Sequence, residues 1–98
     1  MEQLNLKVIR EYFETQPVLK AWLFGSYARG EQKTTSDIDL LIEFDDKEKI
    51  SLLTYAGIKV GLEELLKKEV DLVENGTLYP GIVPFVEADK ILIYERTA

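Results

Sequence analysis

The feature that most constrains this chain is a segment whose polarity alternates with a period of two. In residues 37–44, DIDLLIEF, every second side chain is apolar: Ile38, Leu40, Ile42 and Phe44. Successive side chains of a β-strand point to opposite faces, so this spacing predicts a strand with one fully apolar face. That face has to be covered by other elements, which excludes an isolated strand or a purely helical fold.

Other segments predict the elements around that strand. Helical spacing predicts a first helix near residues 2–15, ended by Pro17, and a long helix that continues to about Lys68. Asp45 and Glu48 resemble the capping signal at the start of that long helix. Three short apolar runs predict further strands: Leu19–Phe24, Val70–Val73 and Ile91–Tyr94.

The long predicted helix has two features of its own. Its apolar positions are Leu52, Leu53, Ala56, Val60, Leu65 and Leu66. Gly57 and Gly61 lie four residues apart within it, and each glycine costs about 1 kcal/mol relative to Ala in a helix interior. We therefore expect close packing against a neighbour at these glycines, or a break in the helix.

The order of elements predicts an α/β (α+β) fold: a small mixed β-sheet with flanking helices. A helical turn is expected at 27–29, a turn at Asn75-Gly76, and an irregular segment or short helix around 80–84. With 98 residues, we expect one domain over residues 1–98. The first residues lack a signal-peptide pattern and no apolar run is long enough to span a membrane, which predicts a cytoplasmic protein.

Composition removes several reaction classes. The chain has no Cys and no His, so it can build no disulfide, thiolate nucleophile, zinc finger or Ser-His-Asp triad. Lys and Arg number 12 against 18 Asp and Glu, which gives a net charge of −6. That sign disfavours a free-standing nucleic-acid binder. Chemistry on this chain would rely on carboxylates, hydroxyls, Lys or Arg, or an ion that prefers oxygen ligands.

Gly25-Ser26 directly follows the strand predicted at Leu19–Phe24, at a position where free backbone N–H groups and a hydroxyl can meet a phosphate. An ordinary turn is the alternative.

Asp37 and Asp39 lie at the head of the alternating strand, and their mutual repulsion would be relieved by a divalent ion such as Mg²⁺. A solvated strand entry is the alternative there.

Asp71 interrupts an apolar run, between Val70 and Leu72. A buried carboxylate needs a partner or a metal, so the three aspartates could converge if this strand pairs with the one carrying Asp39. An Asp that faces outward on a half-buried sheet is the alternative.

The segment GSYARGEQKTTSDIDLLIEF resembles the signature of the minimal nucleotidyltransferases, which have the polymerase-beta-like nucleotidyltransferase fold. The match rests on Gly-Ser, ten residues, then Asp-x-Asp, and the EADKILIYE ending is similar in pattern. The resemblance implies that Gly25 and Ser26 hold the triphosphate of ATP, that Asp37 and Asp39 bind two Mg²⁺ ions, and that Asp71 completes the metal site. Asp71 would also help to activate the attacking hydroxyl.

One position departs from the family, where the residue after Gly-Ser is often Arg and here is Tyr27. Arg29 would then be the main cation near the phosphates, although a solvated turn residue is an equal alternative. Trp22 and Phe24 could form a base-stacking platform, but within a strand we expect them in the core. Glu43 is expected to face solvent or to be structural rather than to act as a fourth ligand.

Larger members of this superfamily carry a helical domain that binds the acceptor, and 98 residues leave no room for one. The resemblance therefore implies an antitoxin whose partner is a helical HEPN ribonuclease toxin, in a hetero-oligomer. The implied activity is transfer of AMP from ATP to a tyrosine of that toxin. Two alternatives stay open: a module of the same fold that neutralises its partner by contact alone, and a small-molecule nucleotidyltransferase of the aminoglycoside-modifying type.

Overall fold

A computed structural model describes residues 4–45, 47 and 49–96, and it contains the alternation of helices and strands that the sequence predicts. The elements, in chain order, are α1 (Leu6–Glu14), β1 (Val18–Phe24), α2 (Ser26–Arg29), β2 (Ile38–Phe44), α3 (Leu52–Leu66), β3 (Val70–Glu74), α4 (Val83–Asp89) and β4 (Ile91–Glu95). The segment around 80–84 thus leads into a short helix. No helix within these ranges combines the length and apolar character needed to cross a bilayer.

The four strands form one mixed sheet in the order β3-β2-β1-β4. β2 pairs with β1 in antiparallel fashion and with β3 in parallel fashion, and β4 pairs antiparallel with β1. The predicted mixed sheet with flanking helices is confirmed. The parallel pair is the one that positions the site, because it sets Asp39 of β2 directly beside Asp71 of β3.

The hydrophobic core lies on one face of this sheet, beneath α1 and α3. The predicted apolar face of β2 supplies three residues that are 0% exposed, which confirms the period-two interpretation. The buried members of the core cluster are Ile9, Phe13, Val18, Ala21, Leu23, Tyr27, Ile38, Leu40, Ile42, Ile58, Leu62, Val70, Leu72, Ile93 and Tyr94. Asp39 has the opposite parity in β2, so its side chain projects from the other face.

The start of the long helix differs from the prediction. Helix α3 begins at Leu52 and is capped by Ser51, whose side chain accepts a hydrogen bond from the backbone N–H of Thr54. Asp45 instead follows β2 directly and pairs with Arg96 at 3.2 Å, and Glu48 lies outside the described residues. The acidic signal was wrong because a second N-cap residue, nearer to the apolar stretch, competes with it.

The buried face of α3 also differs from the prediction. Of the six apolar positions singled out, Leu52, Leu53, Val60 and Leu65 are 84%, 83%, 51% and 48% exposed. Ala56 is exposed too, and Leu66 is partly buried against the core. The helix instead buries Ile58 and Leu62. The apolar residues of this helix lie on most of its sides, so their spacing alone did not identify the side that packs against the core.

The two glycines of α3 have different surroundings. A Cβ built on Gly61 would collide with the hydroxyl of Tyr12 from α1, whereas one built on Gly57 would have no neighbour within 4 Å. The predicted close packing is therefore confirmed at Gly61 and wrong at Gly57. The helix continues without a break through both positions.

Side chains of α3 bind the outer edge of β3, the strand that carries Asp71. Lys59 donates to the carbonyl of Val70 at 2.7 Å, and Glu63 accepts from the Val70 N–H at 3.0 Å. Tyr55 donates its hydroxyl to the carbonyl of Leu72. An open strand edge invites pairing with other chains, and these three bonds occupy it while holding β3 in register.

Candidate functional site

The turn after β1 requires glycine for two separate reasons. Gly25 has φ +73° and ψ −152°, a backbone conformation that residues with a Cβ rarely adopt. A Cβ at this position would also collide with the carboxylate of Asp39. The sequence indicated a glycine that lets a phosphate approach the backbone; in the structure, Gly25 also leaves room for the carboxylate of Asp39.

Asp39 and Asp71 form the centre of the site. They are direct partners in the parallel pairing of β2 with β3, so their Cα atoms are neighbours across the ladder. Asp71 is exposed, and its carboxylate lies close enough to that of Asp39 to raise the pKa of Asp39. The prediction that the two strands pair and bring these carboxylates together is confirmed. Asp71 is exposed, as expected from the alternative in which it faces outward. The reason is that the sheet face carrying Asp39 and Asp71 is more open than the face that packs on the core.

The surroundings raise the pKa of Asp39 to about 6. Burial is the largest cause, because it disfavours the charged form, and the negative charges of Asp71 and Asp37 add to it. The positive charge of Arg29 acts in the opposite direction. Titratable groups perturbed by burial and by specific neighbours are typical of functional sites.

Asp37 lies one residue before β2 and is exposed. Its charge reaches Asp39, but the strand ladder does not fix its position as it fixes that of Asp71. Within the described ranges, no group of three or more Asp or Glu side chains is arranged so that it could hold a metal ion. The structure thus brings together a close pair, Asp39 and Asp71, with Asp37 beside it.

Ser26 and Arg29 are the first and last residues of α2, the single helical turn that follows Gly25. Positions three apart lie on the same side of a helix, so both belong to one side of this turn. The Arg29 guanidinium pairs with Glu31 at 2.9 Å and with Asp89 at 2.6 Å. Asp89 could not be predicted from the sequence, because no local pattern links residues 60 positions apart.

Three aromatic residues near the site differ in burial. Tyr27, which stands where the family often has Arg, is 8% exposed and belongs to the core cluster. Trp22 and Phe24, expected in the core, are only partly buried. The ammonium of Lys90 lies 4.9 Å from the centre of the Trp22 ring, a cation–π contact that covers this side chain.

A cavity of about 490 Å³ lies elsewhere, between β3 and the start of α3. Phe44 lines it, at the end of β2 opposite to Asp39, and none of the three aspartates does. Its lining is mainly apolar. The carboxylate pair is therefore the candidate site, since among the residues that the structure describes only this place combines a perturbed pKa, a glycine with no room for a side chain and a nearby cation.

This donor set suits a hard divalent ion and a phosphate chain. Mg²⁺ is commonly bound by one or two carboxylates together with the phosphates of a substrate. A glycine turn leaves room for a ligand to approach the backbone, and a guanidinium such as that of Arg29 is a group that can pair with phosphate oxygens. Nothing in the arrangement calls for the Cys and His residues that the chain lacks.

A family model described as a nucleotidyltransferase domain matches residues 6–93. This chain belongs to that family. The range takes in β1 to β3 with the glycine turn and all three aspartates, so the match covers the whole candidate site. The nucleotidyltransferase class expected from the signature is confirmed.

Proteins of similar sequence support this family assignment. MJ0435 of Methanocaldococcus jannaschii, a predicted protein adenylyltransferase, is 51% identical over 63 residues, which are 64% of this chain and 66% of that protein. The protein adenylyltransferase MntA of Thermococcus cleftensis is 38% identical over 87 residues, covering 89% of this chain and 83% of MntA. Both are nucleotidyltransferases named for a protein acceptor.

Solved structures confirm the fold. A toxin–antitoxin crystal structure with AMP-PNP has a chain that superposes with a TM-score of 0.79 at 22% identity, covering 96% of this chain and 76% of that one. A Shewanella oneidensis complex between a tri-AMPylated HEPN toxin and an MNT antitoxin gives a TM-score of 0.70 at 20% identity, covering 98% and 74%. At these identities the likeness establishes the architecture.

Proposed function

We propose that this nucleotidyltransferase transfers AMP from ATP to a hydroxyl of a partner protein and acts in this way as an antitoxin. The observation that carries the proposal is the pairing of Asp39 with Asp71 directly beneath the Gly25 turn. Relatives named as protein adenylyltransferases, and a similar fold crystallised with AMP-PNP in a toxin–antitoxin complex, support ATP as the substrate.

We propose Mg²⁺ as the cofactor, two ions in the working site, with Asp37, Asp39 and Asp71 as the protein ligands. The raised pKa of Asp39 supports this fit, because it comes first from burial and then from the negative charges of Asp71 and Asp37, and a bound cation would stabilise the charged carboxylate against both. When bound, Mg²⁺ would neutralise charge on the phosphates and on the reacting oxygens. These three aspartates cannot fill the coordination sphere of two ions by themselves, so the substrate phosphates are expected to complete it.

The phosphate chain would lie along the turn after β1. Gly25 has no side chain to obstruct a phosphate, and the hydroxyl of Ser26 makes no hydrogen bond to the described part of the chain. Arg29 adds a guanidinium on the same side of α2. These three residues are the proposed nucleotide-binding set.

The reaction is an in-line displacement at the α-phosphorus. The acceptor hydroxyl oxygen forms a bond to that phosphorus while the bond between the α-phosphorus and the bridging oxygen to the β-phosphorus breaks, and pyrophosphate leaves. The exposed Asp71 carboxylate is suited to accept the hydroxyl proton, because it borders solvent and adjoins the site. Asp39 is partly buried, and the charges of Asp71, Asp37 and Arg29 all act on its carboxyl group.

We propose that the acceptor is a tyrosine on a helical HEPN-type toxin and that the two proteins form a hetero-oligomer. The S. oneidensis complex, in which an AMPylated HEPN toxin is bound to an MNT antitoxin, supports this choice. The net charge of −6 suits a partner that is basic because it handles RNA, and it disfavours direct nucleic-acid binding by this chain. Because the reaction consumes ATP, we expect it to take place in the cytoplasm.

The test uses ATP labelled on the α-phosphate, Mg²⁺, and the protein encoded beside this chain's gene. We expect label and the mass of AMP on the neighbour, and a loss of at least about 100-fold in Asp39→Asn, a magnitude typical of a group that stabilises reacting charge. Glu43→Gln is the matched control, since it neutralises another β2 carboxylate four residues along the strand. Stable complex formation without transfer would favour neutralisation by contact, and label on an added aminoglycoside would favour the small-molecule alternative.

A further inference from the structure

An ion-pair bridge joins the turn that follows Gly25 to the end of α4. Arg29 Nη1 lies 2.6 Å from Asp89 Oδ2, and Arg29 Nε lies 2.9 Å from Glu31 Oε1. Asp89 is the last residue of α4, and it lies 60 positions after Arg29 in the chain. Its side chain is 23% exposed, against 44% for Arg29, so the acidic partner is the better buried of the two.

The bridge leaves part of the guanidinium available. Arginine has five N–H donors in a planar fork, and the two ion pairs use Nε and Nη1. Among the described residues, the Nη2 amino group has no hydrogen-bond partner. The positive charge of Arg29 also lowers the pKa of Asp39, which means that the guanidinium lies within electrostatic reach of the carboxylate pair.

The orientation of the Arg29 guanidinium affects how strongly a ligand can bind it. An exposed arginine populates many rotamers, and a ligand that binds it has to restrict them. Two carboxylates that already hold Nε and Nη1 fix the plane of the guanidinium before a ligand arrives, and such preorganisation lowers the cost of binding. Glu31 is close in sequence and exposed, whereas Asp89 ties the plane to a separate helix.

We propose that Asp89 is a positioning residue for the nucleotide: it holds Arg29 in the orientation in which the remaining guanidinium donors meet the phosphates of ATP. The proposal rests on the proposed function. Asp89 touches neither the phosphates nor the reacting atoms and acts only through Arg29. Two other roles are physically possible for the pair: a surface ion pair that serves stability alone, and a competitor that withholds Arg29 from the ligand.

The experiment measures the affinity of ATP with Mg²⁺ by isothermal titration calorimetry. Four proteins form a double-mutant cycle: the wild type, Asp89→Asn, Arg29→Gln and the combination of both. We expect Asp89→Asn to weaken ATP binding about three- to tenfold, the equivalent of ordering one long side chain. In the Arg29→Gln background the same substitution should change the affinity less than twofold, and Asp89→Glu should restore most of the loss.

Glu87→Gln is the matched control, because Glu87 is also an acidic residue of α4 paired with a basic one, Lys90 at 2.9 Å. It should leave ATP affinity unchanged. Thermal unfolding of each variant separates binding from stability, and a purely structural pair would lower Tm without a non-additive effect on ATP affinity.

Three results would overturn the proposal. They are an unchanged ATP affinity in Asp89→Asn, tighter binding in that variant, and an equal loss with and without Arg29. Each of these is read against a wild type that binds ATP, so the proposed function would survive them. A wild type that binds no ATP overturns the proposed function and the positioning role together.

Discussion

The turn at Gly25 and the helix α3 are both rich in local signals, yet only at the turn does the local structure lie as predicted. Around Gly25, the predicted strand end, turn and Asp39-bearing strand all lie where the spacing indicated. In α3, the helix exists as predicted, but Leu52 and Leu53 are more than 80% exposed while Ile58 and Leu62 are buried. A constraint carried by backbone conformation is local, whereas the choice of a buried helix face depends on what packs against it.

The strongest test of this contrast removes a buried and an exposed leucine from the same helix. Leu62 is 0% exposed and Leu53 is 83% exposed. We expect Leu62→Ala to lower the free energy of unfolding by about 2–5 kcal/mol and Leu53→Ala by less than about 0.5 kcal/mol. Urea denaturation measures both. Equal losses would mean that the outer face of α3 is covered in solution.

A second pair of variants tests the turn. Gly25 and Gly30 both have φ near +70°, but only at Gly25 would a Cβ meet another residue, the Asp39 carboxylate. We expect Gly25→Ala to destabilise by about 2–4 kcal/mol, since steric collision adds to backbone strain, and Gly30→Ala by about 1 kcal/mol. Denaturation midpoints give the comparison. Similar values for the two would show that strain alone explains Gly25.

The third prediction concerns the pH dependence caused by Asp39. Its pKa rises from 3.8 to about 6 on folding, so between these values the folded chain retains a proton that the unfolded chain has lost. The stability contributed by protonated Asp39 is therefore present below pH 4 and lost as pH rises through 6. Relative to wild type, Asp39→Asn should gain stability over this window, by about 1 kcal/mol once solvent screening of a half-exposed group is allowed for.

Thermal unfolding in metal-free buffer from pH 4 to pH 8 measures that gain. Glu43→Gln serves again as the control, because it removes a carboxylate of the same strand and keeps Asp39. A gain for Asp39→Asn that is the same at pH 4 and pH 8 would contradict the charge explanation.

The smallest expected effect distinguishes the two glycines of α3. Gly57→Ala should stabilise the protein by about 0.5–1 kcal/mol, because Ala is the better helix former and the site is open. Gly61→Ala should lose that gain, because its Cβ meets the Tyr12 hydroxyl. Chemical denaturation of both variants side by side is the measurement. A gain at Gly61 would show that the Tyr12 side chain yields easily.

Much of the site could be predicted because its parts lie close together in the chain. Gly25, Ser26 and Asp39 fall within 15 residues, and the alternation of β2 fixes the parity of Asp39. Asp71 was identified from its position in an apolar run, although only strand pairing could bring it beside Asp39. Asp89 was missed altogether, since its contact with Arg29 spans 60 residues.

By itself, the sequence determined most of the elements, the mixed α/β character, the glycine turn after β1 and the absence of Cys and His chemistry. Those properties follow from periodicity, backbone sterics and composition, which act over a few residues. Only the tertiary structure decided that Asp39 and Asp71 are neighbours, that Arg29 is tied to Asp89, and which side of α3 is buried. The physical reason is that register, ion pairs and helix facing depend on burial and charge supplied by distant segments, which no local pattern records.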